Sequence, residues 1–159
     1  MLALLNGILA FIVIRNIGVE SQLEIRSKYR WGQLVVAGVL VAWGAGTYGG
    51  LTSFADLLFW SLFMTVNIMM GTGGVATHRI VLPGAWFRRT VKFEDISGIQ
   101  IAAIPTIPSI EKKTRVIVKF ILNSHREISM VFTGTVTTVK TALQAKFGQH
   151  VAIEVSKFE

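Results

Sequence analysis

Apolar residues are concentrated in the N-terminal part of the chain, where they form three runs separated by short polar stretches. The runs at about 34–51 and 54–71 approach the length that a helix needs to cross a bilayer core of roughly 30 Å. Only Thr52 and Ser53 separate these two runs, so the pattern predicts two transmembrane helices that form an antiparallel hairpin. Asp56 falls in the first turn of the second helix, where the helix dipole favours an anion.

The first run, at about 1–15, is shorter than the other two, and Asn6 and Gly7 interrupt it. It is either a short or tilted span that ends at Arg15 or a segment that lies in the membrane interface. No basic residue precedes the run and no small-residue cleavage site follows it, which differs from the pattern of a cleaved signal peptide. We therefore expect two or three transmembrane helices.

After residue 73 the apolar period changes from that of a helix to the two-residue alternation of β-strands. Asn123 and Ser124 are typical turn residues and lie between two alternating runs, so they predict a hairpin. The predicted strands are Val75–Leu82, Ala85–Phe93, Ile96–Ala102, Arg115–Leu122 and Glu127–Phe132.

Helical periodicity returns over Thr135–Phe147, where Gly148 suits the left-handed residue that ends a helix. The last apolar run, Val151–Val155, is either a terminal strand or a docked tail. The expected fold is therefore an α + β membrane protein, with a transmembrane anchor at 1–73. We expect residues 74–159 to form a small antiparallel sheet, or a partly open barrel, capped by a C-terminal helix.

The charges indicate how the chain is oriented. The net charge is +7, and Asp56 is the only charged residue from Leu34 to Thr77. Four basic residues lie between the first two apolar runs, whereas the predicted hairpin tip carries none. Because basic loops stay on the cytoplasmic side, the sequence predicts a multi-pass protein of the cytoplasmic membrane with a cytoplasmic C-terminal domain.

Basic residues close to the membrane form the best candidate for a binding surface, because they attract anionic lipid headgroups. One group precedes the second apolar run, and the other lies along the second predicted strand beside an aromatic residue. The alternative is a solvated basic surface that only reflects membrane topology. The candidate residues are Arg26, Lys28, Arg30, Trp86, Arg88, Arg89 and Lys92.

Small residues recur every four positions on the predicted 34–51 helix, at Gly38, Ala42, Gly46 and Gly50. Such a face lets another helix approach closely, and close packing drives helix association in lipid. The face packs either within the hairpin or against a second copy or another membrane protein.

The segment Lys92–Ile101 contains an aromatic–x–Asp–Ile–x–x–Ile pattern, and Gly74-Val75 begins the first predicted strand. With the strands and the following helix, these residues make about Gly74 to Gly148 similar to a bacterial membrane-associated pleckstrin-homology-like domain. The resemblance implies a scaffold or protective role rather than an enzymatic one. Some proteins of this kind resemble accessory or immunity proteins encoded beside antimicrobial peptides.

The residue content offers little for catalysis or metal binding. The chain has no cysteine, and His78, His125 and His150 lack the spacing of metal ligands. Glu94 and Asp95 are adjacent on a predicted strand, so their side chains would point to opposite faces. We therefore expect no catalytic residues, no metal site and no cofactor.

These observations predict a non-enzymatic membrane adaptor that binds membrane lipids, a membrane protein partner or a second copy of itself. Nucleic acid is not an expected partner, because the basic residues are dispersed between strands. Two alternatives remain. The protein protects the cell against a membrane-active antimicrobial peptide, or it is an accessory subunit of a membrane transporter.

Overall fold

The computed structural model describes residues 1–47, 53–85, 89–104, 114–148 and 151–156. These residues form helices, strands and a single 3₁₀ turn, which confirms the predicted α + β class. The helices are α1 (Leu2–Glu20), α2 (Trp31–Thr47), α3 (Phe54–Met70) and α4 (Val136–Phe147). The strands are β1 (Leu23–Arg26), β2 (Gly74–Ala76), β3 (Arg79–Val81), β4 (Thr90–Lys92), β5 (Ile96–Ala103), β6 (Arg115–Leu122), β7 (Glu127–Thr133) and β8 (Ala152–Ser156).

The chain divides into two compact units. The first unit contains Met1–Leu23, Tyr29–Gly73 and Leu82–Arg89. The second unit contains Glu24–Lys28, Gly74–Val81 and Thr90–Glu159. The chain therefore passes between the units several times, and the short strand β1 contributes to the second unit from within the predicted anchor.

In the first unit, α1 and α3 run in the same direction. Near their N-termini the Asn6 side-chain amide donates to the carbonyl of Ala55 at 3.0 Å. Near their C-termini the Thr72 hydroxyl donates to a Glu20 carboxylate oxygen at 2.6 Å. Between these ends the two helices form an apolar core that includes Leu9, Val66 and Met70.

Helix α2 runs antiparallel to α3, as the hairpin prediction requires. The Tyr29 hydroxyl, just before α2, donates to the carbonyl of Ile68 near the end of α3 at 3.0 Å. Further along, α2 approaches α3 at Gly44, where an added Cβ would lie 2.4 Å from the Trp60 ring. A glycine is needed at this position because the indole occupies the space of a side chain.

For the first three helices, the bounds agree with the sequence in one case and differ in two. Helix α3 covers the predicted run, and Ser53 and Asp56 form a reciprocal capping box at its start. Helix α2 begins earlier than predicted, at Trp31. Helix α1 continues beyond Arg15 to Glu20. A helix does not end at a charge that lies on its exposed side, which is why the apolar run underestimated α1.

The second unit contains two four-stranded sheets, in the orders β1-β2-β3-β4 and β7-β6-β5-β8. Strands β5, β6 and β7 form an antiparallel meander, with Ile101 opposite Val118 and Val118 opposite Met130. Strand β8 pairs in parallel with β5, with Ile153 opposite Ile99. Since β8 and β7 run in the same direction, a crossover must join them, and α4 supplies it.

Helix α4 packs on the second sheet through its predicted apolar stripe. The Phe147 ring lies 4.2 Å from Phe93 and 6.2 Å from Phe120, measured between ring centroids. Thr135 caps the start of α4. Gly148 follows its end with the positive φ that the sequence predicts, +62°. Lys146 near that end pairs with Glu24 of β1, and its hydrogen bond is the main cause that lowers the pKa of Glu24 below its ordinary value.

The predicted single sheet was wrong in several details. The predicted strand Val75–Leu82 is two strands, β2 and β3, paired antiparallel with Val75 opposite Ile80. The two-residue alternation of apolar side chains continues through the turn between β2 and β3, so it did not reveal that the chain reverses direction there. Strand β1 was missed, and the Val151–Val155 run proves to be a strand, β8, in parallel pairing. The strands form two separate four-stranded sheets, and the described residues contain no closed barrel.

The close approach of α2 and α3 predicts different effects for two glycines. Gly44→Ala should lower the free energy of unfolding by about 1–3 kcal/mol, because the new methyl group overlaps the Trp60 ring. Gly46→Ala should leave it unchanged or raise it by roughly 0.5 kcal/mol, since an added Cβ there meets nothing within 4 Å. Denaturant titration of both variants in mild detergent measures the difference. Equal effects at the two positions would contradict this packing.

Candidate membrane interface

The first unit carries its large apolar side chains on the outside. Among the described residues, every exposed large apolar side chain except Val155 belongs to this unit. They occur along all three helices, at Met1, Leu4, Leu5, Ile8, Phe11, Ile14, Ile17, Trp31, Val35, Val36, Val39, Leu40, Trp43, Phe54, Leu57, Leu58 and Ile68. An apolar surface that extends around several helices is unusual for a soluble protein and marks contact with lipid or protein.

The interior of the same unit contains polar side chains. Asn6, Asn16, Asn67 and Arg89 are the buried polar or charged residues among those described, and all four belong to the first unit. A soluble domain has the opposite arrangement, with its polar side chains mostly outside. Polar residues that face neighbouring helices are typical of helices that pack in a membrane.

Helix α1 is the described helix whose length and composition suffice to cross a membrane. It has 19 residues and lies near the N-terminus, where a signal sequence would pass the same test. Helices α2 and α3 are also apolar but have 17 described residues each.

A polar cluster of Glu20, Thr72 and Arg89 lies at the C-terminal ends of α1 and α3. One Arg89 guanidinium nitrogen, Nη2, donates to Glu20 Oε1 at 3.0 Å, to Thr72 Oγ1 at 2.8 Å and to the Thr72 carbonyl at 3.0 Å. The same nitrogen also donates to the carbonyl of Met69. The cluster therefore ties the ends of both helices to the segment that precedes β4.

The burial of Arg89 corrects its predicted role in lipid binding. Arg89 is only 3% exposed, and its charge is already paired with Glu20, so it does not offer a surface to headgroups. Sequence reasoning grouped Arg89 with the other basic residues close to the membrane, without a sign that its side chain is buried. Glu20 at the end of α1 was the available sign of an ion pair, but it lies 69 residues before Arg89 in the sequence.

Aromatic rings lie next to this end of the helices. The rings of Tyr29 and Trp31 meet edge to face with centroids 5.1 Å apart. The backbone amide of Arg30 donates to the carbonyl of Gly71 at 3.0 Å, which joins the start of α2 to the end of α3. Burial, with a smaller contribution from Glu20, raises the pKa of Tyr29 above its ordinary value, so its hydroxyl stays a donor at neutral pH.

The other predicted lipid-binding residues have mixed positions. Arg26 and Lys28 are exposed in the second unit, and Arg30 is exposed in the first. Lys92 is exposed at the end of β4. Trp86 and Arg88 lie outside the described residues. The common basic surface thus stays a prediction.

The predicted small-residue face does not pack against α3 over the described part of α2. An added Cβ at Gly38 or Gly46 would meet no atom within 4 Å, and Ala42 is exposed. Gly50 lies outside the described residues. Helix α2 instead buries Ala37 and Gly44, which the four-residue repeat did not include. Packing of the predicted face against another chain stays a prediction.

An open groove lies between α2 and α3, with a volume of about 690 Å³. We call it the α2–α3 groove. Its lining residues are Arg30, Gly32, Gln33, Val36, Ala37, Leu40, Phe63, Asn67 and Gly84, all in the first unit. None of these lining residues is acidic. The groove was not predicted, because its walls come from two helices whose relative rotation the sequence does not specify.

The polar cluster predicts a strong coupling between Glu20 and Arg89. Glu20→Gln alone should lower the free energy of unfolding by up to about 3 kcal/mol, because it leaves a buried guanidinium without its counter-charge. The double variant Glu20→Gln/Arg89→Met should cost clearly less than the sum of the two single variants. Denaturant titration of all four proteins in detergent measures this coupling.

An exposed ion pair provides the matched control. Lys119 Nζ lies 3.3 Å from Glu127 Oε2 between β6 and β7, and both side chains are about half exposed. The same cycle with Lys119→Met and Glu127→Gln should give a coupling below about 1 kcal/mol. If both pairs couple equally weakly, the buried cluster does not hold the helix ends together.

Comparisons with family models, with curated proteins and with solved structures gave no match to this chain. The similarity to a pleckstrin-homology-like domain accordingly stays a prediction from the residues between Gly74 and Gly148.

Proposed function

We propose that this chain is a multi-pass protein of the cytoplasmic membrane and acts as a non-enzymatic adaptor. The first unit is the membrane-embedded anchor. The second unit lies in the cytoplasm, where it binds the inner-leaflet surface or a membrane protein partner. The observation that carries the proposal is the exposure of large apolar side chains around the first unit, whose interior also contains four polar side chains.

The contacts of α1 support its retention as an anchor rather than its removal as a signal sequence. Its buried face packs against α3 around Leu9, and Asn6 bonds to the backbone of α3. Its last residue, Glu20, pairs with Arg89. Removing α1 would expose the apolar core and leave Arg89 buried without a counter-charge, at a cost of several kcal/mol.

Helix lengths support three spans. At 1.5 Å per residue, α1 measures about 28 Å and each of the two 17-residue helices about 26 Å. A bilayer core of roughly 30 Å accommodates such helices with slight local thinning. The three helices have similar lengths, so one bilayer thickness accommodates the whole unit.

The directions of the helices support the orientation. Helices α1 and α3 start at the same end, and α2 starts at the other, next to Tyr29 and Arg30. The basic residues at 26–30 therefore mark the cytoplasmic end of all three helices under the positive-inside rule. Residues 74–159 follow α3 at that end, which is the cytoplasmic side.

The adaptor role rests on the exposed charges of the second unit. Arg26, Lys28 and Lys92 are exposed there, and juxtamembrane basic residues contribute roughly 1 kcal/mol each to attraction by anionic lipid. The similarity to a pleckstrin-homology-like domain points in the same direction. Arg26 ends β1 and Lys92 ends β4, so the two edge strands of the first sheet carry two of these charges.

Cysteine labelling tests the topology, because the chain has no cysteine of its own. Phe54→Cys, at the start of α3, should react with a membrane-impermeant maleimide on intact cells. Ser124→Cys, in the exposed β6–β7 turn, should react only after the membrane is permeabilised. The mass of the intact protein should include α1. Labelling of Ser124→Cys on intact cells, or loss of α1, would contradict the proposed anchor.

Hydrogen exchange of the full chain in nanodiscs tests the adaptor surface. Amides of the second unit should exchange more slowly in anionic nanodiscs than in zwitterionic ones. Arg26→Gln/Lys28→Gln should remove most of this difference, since it deletes about 2 kcal/mol of electrostatic attraction.

Lys140→Gln on α4 is the control variant and should keep the difference between the two lipids. Equal exchange in both lipids for the unmodified protein would contradict binding of the second unit to the membrane surface. A protein that co-purifies in stoichiometric amount would then be the partner to identify.

A further inference from the structure

We infer that the α2–α3 groove binds one anionic glycerophospholipid from the cytoplasmic leaflet. This inference rests on the proposed embedding of the first unit in the membrane. It goes beyond a basic surface, because it assigns a single site with a polar end and an apolar end.

The polar end is formed by Arg30, Gln33 and Gly84. An added Cβ at Gly84 would lie 3.2 Å from Arg30 Nη1 and 3.4 Å from Gln33 Oε1, so the two side chains converge there. Gly84 has φ +87°, a conformation that side chains other than glycine rarely adopt, and its amide donates to the carbonyl of Met70 at 2.7 Å. The glycine at position 84 thus leaves the space beside the guanidinium free of a side chain.

The charge at this end suits a phosphodiester. Arg30 supplies a guanidinium, whose planar donors match phosphate oxygens. Gly32 lines the groove in the first turn of α2, where helix N–H groups lack intrahelical partners and the helix dipole favours an anion. The lining residues include no acid that would oppose a phosphate.

The apolar end follows α2 away from this charge. Its walls are Val36, Ala37 and Leu40 of α2 and Phe63 of α3. From its first residue, Trp31, to Leu40, α2 rises about 14 Å at 1.5 Å per residue, which is close to half of a bilayer core of roughly 30 Å. The groove therefore has the length of one leaflet, with its cation at the headgroup level and its apolar walls at acyl-chain depth.

Because the groove has a polar end and an apolar end, it fits a lipid better than other occupants. A soluble anion would use only the polar end and leave the apolar walls unfilled. A neighbouring transmembrane helix would place apolar side chains against Arg30 and Gln33, whose desolvation would cost free energy. The volume of about 690 Å³ lies within the range of roughly 300–1,000 Å³ that is usual for small-molecule sites.

Native mass spectrometry of the full chain tests the site, with phosphatidylglycerol and phosphatidylcholine of identical acyl chains as probes. The unmodified protein should retain one phosphatidylglycerol in preference to phosphatidylcholine. Arg30→Gln should weaken phosphatidylglycerol binding about tenfold and leave phosphatidylcholine unchanged, because it removes a charge-assisted hydrogen bond. Val36→Trp, which fills the apolar end, should weaken both lipids.

Arg126→Gln, in the exposed turn after β6, is the charge-matched control and should behave like the unmodified protein. Leu40→Trp replaces Val36→Trp if the latter lowers the unfolding temperature. Equal retention of both lipids, or no effect of Arg30→Gln, would overturn the site. If inorganic phosphate competed fully and the tryptophan variants had no effect, the groove would be a site for a small anion only. That result would also overturn the proposal. Cysteine labelling that still gives the expected topology would show that only the groove assignment has failed.

Discussion

The exposure of large apolar side chains around the first unit is the constraint on which the other features depend. In water, the exposed rows of leucine, isoleucine, phenylalanine and tryptophan on α1, α2 and α3 would drive aggregation. In lipid, the hydrophobic effect does not drive these helices together, so their association depends on other interactions. The structure supplies two such means, the close approach of Gly44 to Trp60 and hydrogen bonds from polar side chains such as Asn6.

A related constraint acts at the C-terminal ends of α1 and α3, where Arg89 is buried in the polar cluster. Burying a guanidinium is costly, and the penalty is offset only when a counter-charge and several hydrogen bonds are present. Glu20, Thr72 and backbone carbonyls provide these for one nitrogen of Arg89, while Nε and Nη1 have no partner among the described residues. Such a cluster contributes specificity more than stability, because it requires α1 and α3 to end at the same level.

The sequence predicted the elements whose signal is local. The bounds of α3 and β6, the β6–β7 turn and the glycine that ends α4 all follow from periodicity and from single residues such as Asp56 and Gly148. The sequence failed where the outcome depends on distant partners. Strand β1 is too short to show a period, β8 is defined by pairing with β5, and Arg89 is defined by Glu20. The α2–α3 groove depends on how α2 is rotated about its own axis. The four-residue repeat of small residues did not predict that rotation, because α2 buries Ala37 and Gly44 instead.

Under this proposal, lipid surrounds the first unit. A nitroxide attached to Phe11→Cys reports on this directly, because Phe11 lies midway along α1 on its exposed side. Power-saturation electron paramagnetic resonance in liposomes compares its collisions with oxygen, which dissolves in lipid, and with a water-soluble nickel chelate. If lipid surrounds α1, the nitroxide should be highly accessible to oxygen and almost inaccessible to nickel. High accessibility to nickel would place α1 in water and contradict the membrane-embedded anchor.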